Sequence, residues 1–594
     1  MWPTSRWQPG RIYRDFHGLR PPAPSLLHDA LLQLEIGLAS NAGPVSRVRM
    51  PRHVPFVVRA EQATAHAQGS RAPAPRYRVI PPDALPPELP DQPGQAWNAA
   101  QLTAVTGGTW LVEPPPGWFV RSVARGEKFL GLLPAPALFV ASDAKTRALH
   151  ERYAVPQGPQ AQDWHEHLAR LQPRVAGAML CRPVDGLDPE LPVLKVDDPI
   201  QALVELGAAA RQRLHGRVVA VTGSAGKTSV CQMLSQAFSS SLRVFSTVDN
   251  YNSRVGMLAM LANVPARTDL VVLEAAVSGI NAPDFQNIKL VRPDVAVITN
   301  IGASHLRDGG TVEDIARRKA NIFEGMRPGA CAVLCTDTDH FGYLLERARA
   351  RKLRVLTYGT AASADVRLEA HDPLSGRIRA SCGGDEFEYS LGAKGRHMAV
   401  NSLVCFAVAR ALALDDAAVP AQLASFAAVQ GRGQLREFPC RGGVFRLFDE
   451  SYNANPLSME KALAMVAEEP CAAGRKILVL GDMLELGSDA AQYHGALVAS
   501  IVRCRPGLVF LHGPLMGALR DRIAAALPPT SAVHAPGTLQ DLERTLVDSI
   551  APDDLVLLKA SNGMQLWQIV GNLARKQQQA TGRAASAPLP PPPA

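Results

Sequence analysis

The stretch Val218–Leu234, VVAVTGSAGKTSVCQML, decides the fold. Val218 to Val221 form an apolar run with no polar alternation, as expected of a strand buried on both faces of a parallel sheet. The strand is expected to end at Thr222. Gly223-Ser224-Ala225-Gly226-Lys227-Thr228 then turns into a helix beginning near Ser229. Glycines let backbone N–H groups close around an anion, and the helix amino terminus adds its positive dipole end. In such a loop Lys227 reaches the β- and γ-phosphates, and the Thr228 hydroxyl is placed for Mg²⁺. The strict eight-residue pattern asks for glycine where Val221 stands. A G-K-T after a valine-rich strand still points to nucleotide phosphate rather than to a merely glycine-rich turn.

Outward from this loop the same grammar repeats. A helix, IQALVELGAAARQRL (200–214), precedes it, and the apolar runs DLVVLEA (269–275), DVAVITN (294–300) and CAVLC (331–335) follow. VFRLFDE, KILVLGD, GLVFLHG and DLVLLKA repeat the pattern after Arg432, which implies a further domain of the same α/β class. Between Trp97 and Ile200, PALFVAS, AGAMLC and LPVLKV suggest a small α/β domain. Ligands of doubly wound sheets gather beyond the carboxyl ends of strands. Glu274, ending one run, and His305, in the loop after another, should therefore face the crevice that holds Lys227. Lys319, in IARRKANIFEG, would lie on the helix after the His305 loop.

The rest of the chain sets limits. It has 594 residues, 47% hydrophobic and 20% charged, enough apolar side chain for several cores and too much for wholesale disorder. A net charge of +8 is small for a nucleic-acid binder of this length. Nine cysteines are scattered without a C-x-x-C pair, against a zinc site or disulfide framework and in favour of a reducing compartment. No signal peptide or membrane-length apolar run is read, so a cytoplasmic location is expected. Residues 1–96 contain no lysine, are rich in arginine and proline, and carry one candidate amphipathic helix over 24–38. They read as a partly disordered extension that could dock a protein partner. The tail 581–594 reads as disordered.

Further blocks appear in order: EDIARRKANIFEG, GRHMAVNSLVCFAVA, FDESYNANPLSMEKAL, LGDMLELGSDAAQYH and LLKASNGMQL. With VTGSAGKTS, VVLEA and PDVAVITNIGASHL they resemble the Mur ligases, from Trp97 to Leu573. Within that family SYNANP with GDMLELG is similar to the branch that adds D-alanyl-D-alanine to UDP-N-acetylmuramoyl-tripeptide. The resemblance implies an α/β, three-domain architecture with a central P-loop doubly wound parallel sheet and a Rossmann-like carboxy-terminal domain. Its expected boundaries are a substrate-binding domain at 97–200, an ATP-binding domain at 201–431 and a closing domain at 432–580. The implied reaction is ATP-dependent amide synthesis through an acyl phosphate, in peptidoglycan biosynthesis.

Residue by residue, the resemblance assigns Gly223, Ser224, Ala225, Gly226, Lys227, Thr228 and Ser229 to the ATP phosphates. Thr228, Glu274 and His305 would hold two Mg²⁺ ions, and Lys319 matches a lysine that carries a carbamate in relatives; Lys227, His305 and Lys319 form the implied catalytic set. His397 and Asn401 match the segment that meets the base, and Arg432, Asp449 and Glu450 the carboxy-terminal contacts to phosphate and ribose. Asn250 and Asn252 match the substrate side. Several positions depart from the family pattern. The usual Asp-Asp is Asp449-Glu450, and HNV is His397-Met398-Ala399. G-N-x-N-N is Asp249-Asn250-Tyr251-Asn252-Ser253, G-A-N is Ala275-Ala276-Val277, and the first domain has no D-S-R. A paralogue joining another acid and amine, in capsule, storage-polymer or natural-product synthesis, is the alternative within this chemistry. A non-catalytic ATP-binding scaffold and a P-loop kinase or motor are the alternatives outside it.

Overall fold

The structure is a computed structural model that describes residues 32–33, 56–57, 85–86, 96–143, 146–147, 150, 163–281, 286–304, 306, 310–471 and 473–581. It divides into two compact units, Met1–Arg76 and Tyr77–Ala594. In the first, Leu32–Gln33 pairs in parallel with Phe56–Val57. This corrects the helix expected over 24–38 at the two residues described there, because strand pairing with a distant segment outweighs local helical periodicity. The remainder of that helix, most of the expected extension 1–96 and the tail 582–594 lie outside the described residues.

The second unit holds three principal sheets. The first has strands β1 (Thr109–Val112), β2 (Ser122–Ala124), β3 (Ala137–Val140), β4 (Gly177–Leu180) and β5 (Val193–Lys195) in the order β1-β5-β4-β3-β2. Only the β1–β5 pair is antiparallel. A long helix, α1 (Pro199–Arg213), leads out of it, its first turn capped by Asp198, whose carboxylate accepts from Ile200 N and Gln201 N.

The central sheet comprises β6 (Arg217–Thr222), β7 (Val244–Ser246), β8 (Leu270–Glu274), β9 (Val295–Ile298), β10 (Cys331–Cys335), β11 (Arg354–Gly359), β12 (Val366–His371), β13 (Arg377–Cys382) and β14 (Asp385–Ser390). Their order is β7-β8-β6-β9-β10-β11-β12-β13-β14. Val218 and Ala220 point into one core and Val219 and Val221 into the other, which explains why β6 lacks polar alternation. Parallel pairing holds from β7 to β12, while β13 and β14 are antiparallel. The parallel sheet expected from the sequence is thus extended by a meander whose one solvated face breaks up the apolar runs.

The third sheet contains β15 (Gln434–Cys440), β16 (Gly443–Glu450), β17 (Lys476–Gly481), β18 (Leu508–His512), β19 (Ala532–His534) and β20 (Leu555–Lys559), ordered β15-β16-β20-β17-β18-β19 and parallel except for β15. Helices that shape the site are α2 (Lys227–Phe238), α3 (Gly256–Ala262), α4 (Val312–Ala320), α5 (Arg396–Leu412) and α6 (Pro456–Glu468). α2 starts two residues before the expected Ser229, because Gly226 at φ 81° already serves as its cap. Among the described residues no helix is long and apolar enough to cross a membrane.

Candidate active site

The chain leaves β6 toward β7 and β8 on one side and later returns to β9 on the other, so the winding reverses at β6. The carboxyl ends of β6, β8 and β9 therefore border one crevice. Gly223 sits there at φ 152°, where a Cβ would stand 1.9 Å from Thr299 Oγ1, and one at Gly226 would come within 3.0 Å of Asn401 Nδ2. Gly223 has no room for a side chain, and one at Gly226 would press on the Asn401 amide in a left-handed backbone conformation that favours glycine. Asn300 clamps the loop between them: its Oδ1 accepts from Ala225 N (2.8 Å) and its Nδ2 donates to Ala225 O (2.9 Å). Ser224 Oγ donates to Gly302 O at 2.8 Å. The first bond of α2 runs from Val230 N to Gly226 O, so the N–H groups of Lys227, Thr228 and Ser229 precede it and form an anion site at the helix start.

Two lysines converge on this loop. Lys227 Nζ and Lys319 Nζ both donate to Gly223 O, at 3.1 and 2.8 Å. Lys319 is 2% exposed; burial, reinforced by the charges of Lys227 and Arg318, holds its pKa well below the ordinary lysine range. Burial also lowers Lys227, against the pull of Glu274. Glu274, buried at the end of β8, accepts from Thr228 Oγ1 at 2.6 Å and from Asn252 Nδ2 at 2.7 Å. Hydrogen bonds to an ionised carboxylate are among the stronger ones, about 1.5–3 kcal/mol each. The Thr228–Glu274 pair fits Mg²⁺, which takes one or two protein oxygens and fills its octahedron with phosphate and water. His305 lies outside the described residues. Asn250 enters through its backbone, its carbonyl accepting from Asn252 N at 2.7 Å.

The third sheet's lobe faces the loop. Arg432 lies over the Tyr452 ring, 4.0 Å from its centroid, and its charge is felt at Lys227. Asp449 is buried, accepting from Gly431 N and from Ser451 N and Oγ; burial raises its pKa against those bonds. Glu450 pairs with Lys559 across adjacent strands at 2.9 Å. Asn455, the cap of α6, donates from Nδ2 to Ser224 O at 3.0 Å. His397 and Asn401 occupy one face of α5, four residues apart; burial, with Lys461 and Lys559 behind it, holds His397 at about 3. Of the residues expected from the sequence, the structure thus gathers those of the loop with Glu274, Asn252, Lys319, Asn401 and Arg432. Sequence reasoning missed Asn300, Asn455, Tyr452 and Lys559. Asn455 and Tyr452 were visible inside SYNANP and Lys559 inside LLKAS, whereas Asn300 had only its place at a strand end as a signal.

Residues 221–409 match the Mur ligase middle domain and residues 431–562 the Mur ligase glutamate ligase domain. The UDP-N-acetylmuramoyl-tripeptide–D-alanyl-D-alanine ligase of Bacillus subtilis is 30% identical over 437 residues, spanning 73% of this chain and 92% of that protein. The ligase of the same name from Escherichia coli is 32% identical over 343 residues, 56% of this chain and 72% of that protein. Among solved structures, MurF from Acinetobacter baumannii superimposes with a TM-score of 0.64 at 23% identity, covering 81% of this chain and 99% of that one. MurF from Thermotoga maritima, in complex with ADP, gives 0.59 at 22% identity, covering 78% and 99%.

Proposed function

The chain belongs to the Mur ligase family of ATP-dependent, peptide-bond-forming ligases, and from that premise we propose that it joins D-alanyl-D-alanine to UDP-N-acetylmuramoyl-tripeptide in peptidoglycan synthesis. The observation that carries the proposal is the convergence of Lys227, Lys319 and the Thr228–Glu274 pair on one phosphate loop faced by Arg432. A carboxylate oxygen is a poor leaving group and phosphate a good one, so the acid is first activated. Its carboxylate takes the γ-phosphate of ATP, giving an acyl phosphate and ADP; the amine then adds, and phosphate departs. The loop amides and Lys227 hold the phosphates and offset the charge that develops on the transferring group. Mg²⁺, held by Thr228 and Glu274 with His305 as a further ligand for a second ion, would neutralise phosphate charge as a Lewis acid. His397, kept neutral, and Asn401 would meet the base, and Arg432, Asp449 and Glu450 the phosphates and ribose. The resulting enclosure keeps water from the acyl phosphate.

The proposal divides the labour by lobe: 97–200 for the acid, 201–431 for ATP and 432–580 for closure. Lys319 is the residue to which it assigns a carbamate. Its lowered pKa supplies the neutral amine that captures CO₂, and a carbamate would set a negative group beside Lys227. The reaction is placed in the cytoplasm, where nine free thiols stay reduced.

A second reading, another acid and amine on the same machinery, is favoured by one observation. Asp249 stands at φ 53° where the G-N-x-N-N pattern has glycine, and its carboxylate holds Lys128 of the first lobe at 2.6 Å. The substrate-facing loop therefore carries a cross-lobe ion pair that a glycine at 249 could not make. The deciding experiment is phosphate release from ATP and Mg²⁺ with both substrates and with each omitted, followed by mass spectrometry. Release that requires both, with UDP-pentapeptide formed, supports the first reading. ATP binding without product moves the assignment to the second.

A further inference from the structure

The peptide plane between Ser224 and Ala225, in the phosphate loop, is held at both ends by different lobes. Its N–H, on Ala225, donates to Asn300 Oδ1 at the end of β9 (2.8 Å), and its carbonyl, on Ser224, accepts from Asn455 Nδ2 (3.0 Å). Asn455 belongs to the lobe of the third sheet and has a second task in the same amide. Its Oδ1 accepts from Ser458 N at 2.9 Å and so caps α6. The segment that carries it is pinned from behind: Lys559 Nζ donates to Asn453 O and Ser561 Oγ to Ala454 O, both at 3.2 Å. Two residues beyond Asn455, Leu457 lies against Gly302, where a Cβ would stand 3.3 Å from its Cδ2, and Gly302 N in turn donates to Ser224 Oγ. The third lobe thus reaches Ser224 by a direct hydrogen bond and by packing on the residue that holds its side chain.

We infer that Asn455 is a positioning residue that couples docking of the third lobe to the shape of the phosphate loop. With the lobe docked, the Ser224–Ala225 plane is fixed at both ends, and the amides that follow it face the phosphates in one orientation. With the lobe displaced, the Ser224 carbonyl loses its donor and the plane is held by Asn300 alone. Phosphoryl transfer then proceeds at full rate only when the lobe is seated. This inference rests on the ATP-dependent ligase reading.

The two tasks of Asn455 can be separated by substitution. Asn455→Ala removes both the cap and the donor. Asn455→Ser and Asn455→Asp keep a capping oxygen, but serine is too short to reach Ser224 O and aspartate has no N–H to give. The thermal midpoint of the free protein and the kcat and KM for ATP of substrate-dependent phosphate release are measured for all four proteins. The serine and aspartate variants should share a midpoint above that of the alanine variant, while all three lose about tenfold in kcat, the size of one lost hydrogen bond. Turnover at the wild-type rate in the serine variant, whether or not aspartate is slow, would overturn the inference, since helix capping or added charge then accounts for everything. Should the wild-type chain release no phosphate with any acid and amine, the ligase reading fails instead. The coupling is then judged by equilibrium ADP binding: several-fold weaker binding by the serine variant upholds it, and equal affinity sinks it.

Discussion

At Gly223, one backbone carbonyl accepts from two lysine side chains, Lys227 and Lys319. Burial lowers the pKa of both lysines, with Glu274 opposing the shift; the charge of Lys227 adds to the lowering at Lys319, and that of Arg432 to the lowering at Lys227. At Lys227 an arriving anionic phosphate restores the protonated state through its charge. Nucleotide binding should therefore take up protons, read as a dependence of the calorimetric heat on buffer ionisation enthalpy; a heat independent of buffer would contradict this account. The sign for stability follows. A lysine lowered in the fold binds fewer protons folded than unfolded, so stability of the free protein should rise with pH from that lowered value up to about 10.4, the unfolded value. Lys319→Met should flatten that rise in denaturation measured across the range. Lys227→Met should cut phosphate release by about 10²–10³-fold, as loss of a cation at a transferring phosphate does, with a thermal midpoint no lower than wild type. At this scale the motif alone named Lys227, but the partners of Lys319 were invisible. It is 92 residues further along the chain (319 − 227), and only the fold sets both ammonium groups on one carbonyl.

The elements carry their own tests. α1 crosses α3 so closely that a Cβ on Gly207 would lie 2.2 Å from Leu258 O. Gly207→Ala must push the helices apart and should cost about 1–3 kcal/mol, visible as a lower urea midpoint; an unchanged midpoint would show that the crossing is slack. Lys559, 1% exposed at the end of β20, faces Glu450 at the end of β16. Removing one member of a buried pair leaves the other uncompensated, so Lys559→Met should cost about 3–5 kcal/mol, and Lys559→Met with Glu450→Gln less than that. Equal losses in the two variants would mean that the charges do not interact. Strand existence was legible in most segments buried on both faces, as in VVAVT, LVVLE, CAVLC and KILVLG, but not in the short, equally buried Ser122–Ala124. β12 to β14 went unread because exposed and buried residues alternate along them, and polar alternation in short segments resembles loop.

Among the described residues of the whole molecule, the five hydrophobic cores draw on positions from Leu85 onward. A chain starting at residue 77 should therefore keep the thermal midpoint and the ATP-dependent turnover of the full chain. A loss of either would give the amino-terminal unit a structural or catalytic part. The lobes of the second unit share buried hydrophobic clusters and are tied by specific bonds, such as Trp97 Nε1 to Ala262 O, Lys128 to Asp249 and Asn455 to Ser224. Such contacts are legible in no local pattern. The phosphate loop, the α/β class, most of the buried strands and the family can be read from the chain alone, because short-range periodicity and loop chemistry depend on residues that are neighbours in it. That Asn300 and Asn455 clamp the loop from opposite sides, that Lys319 joins Lys227 and that Asp249 is tied to the first lobe emerges with the packed fold. Those facts depend on strand order and lobe docking, which bring together residues dozens to hundreds of positions apart.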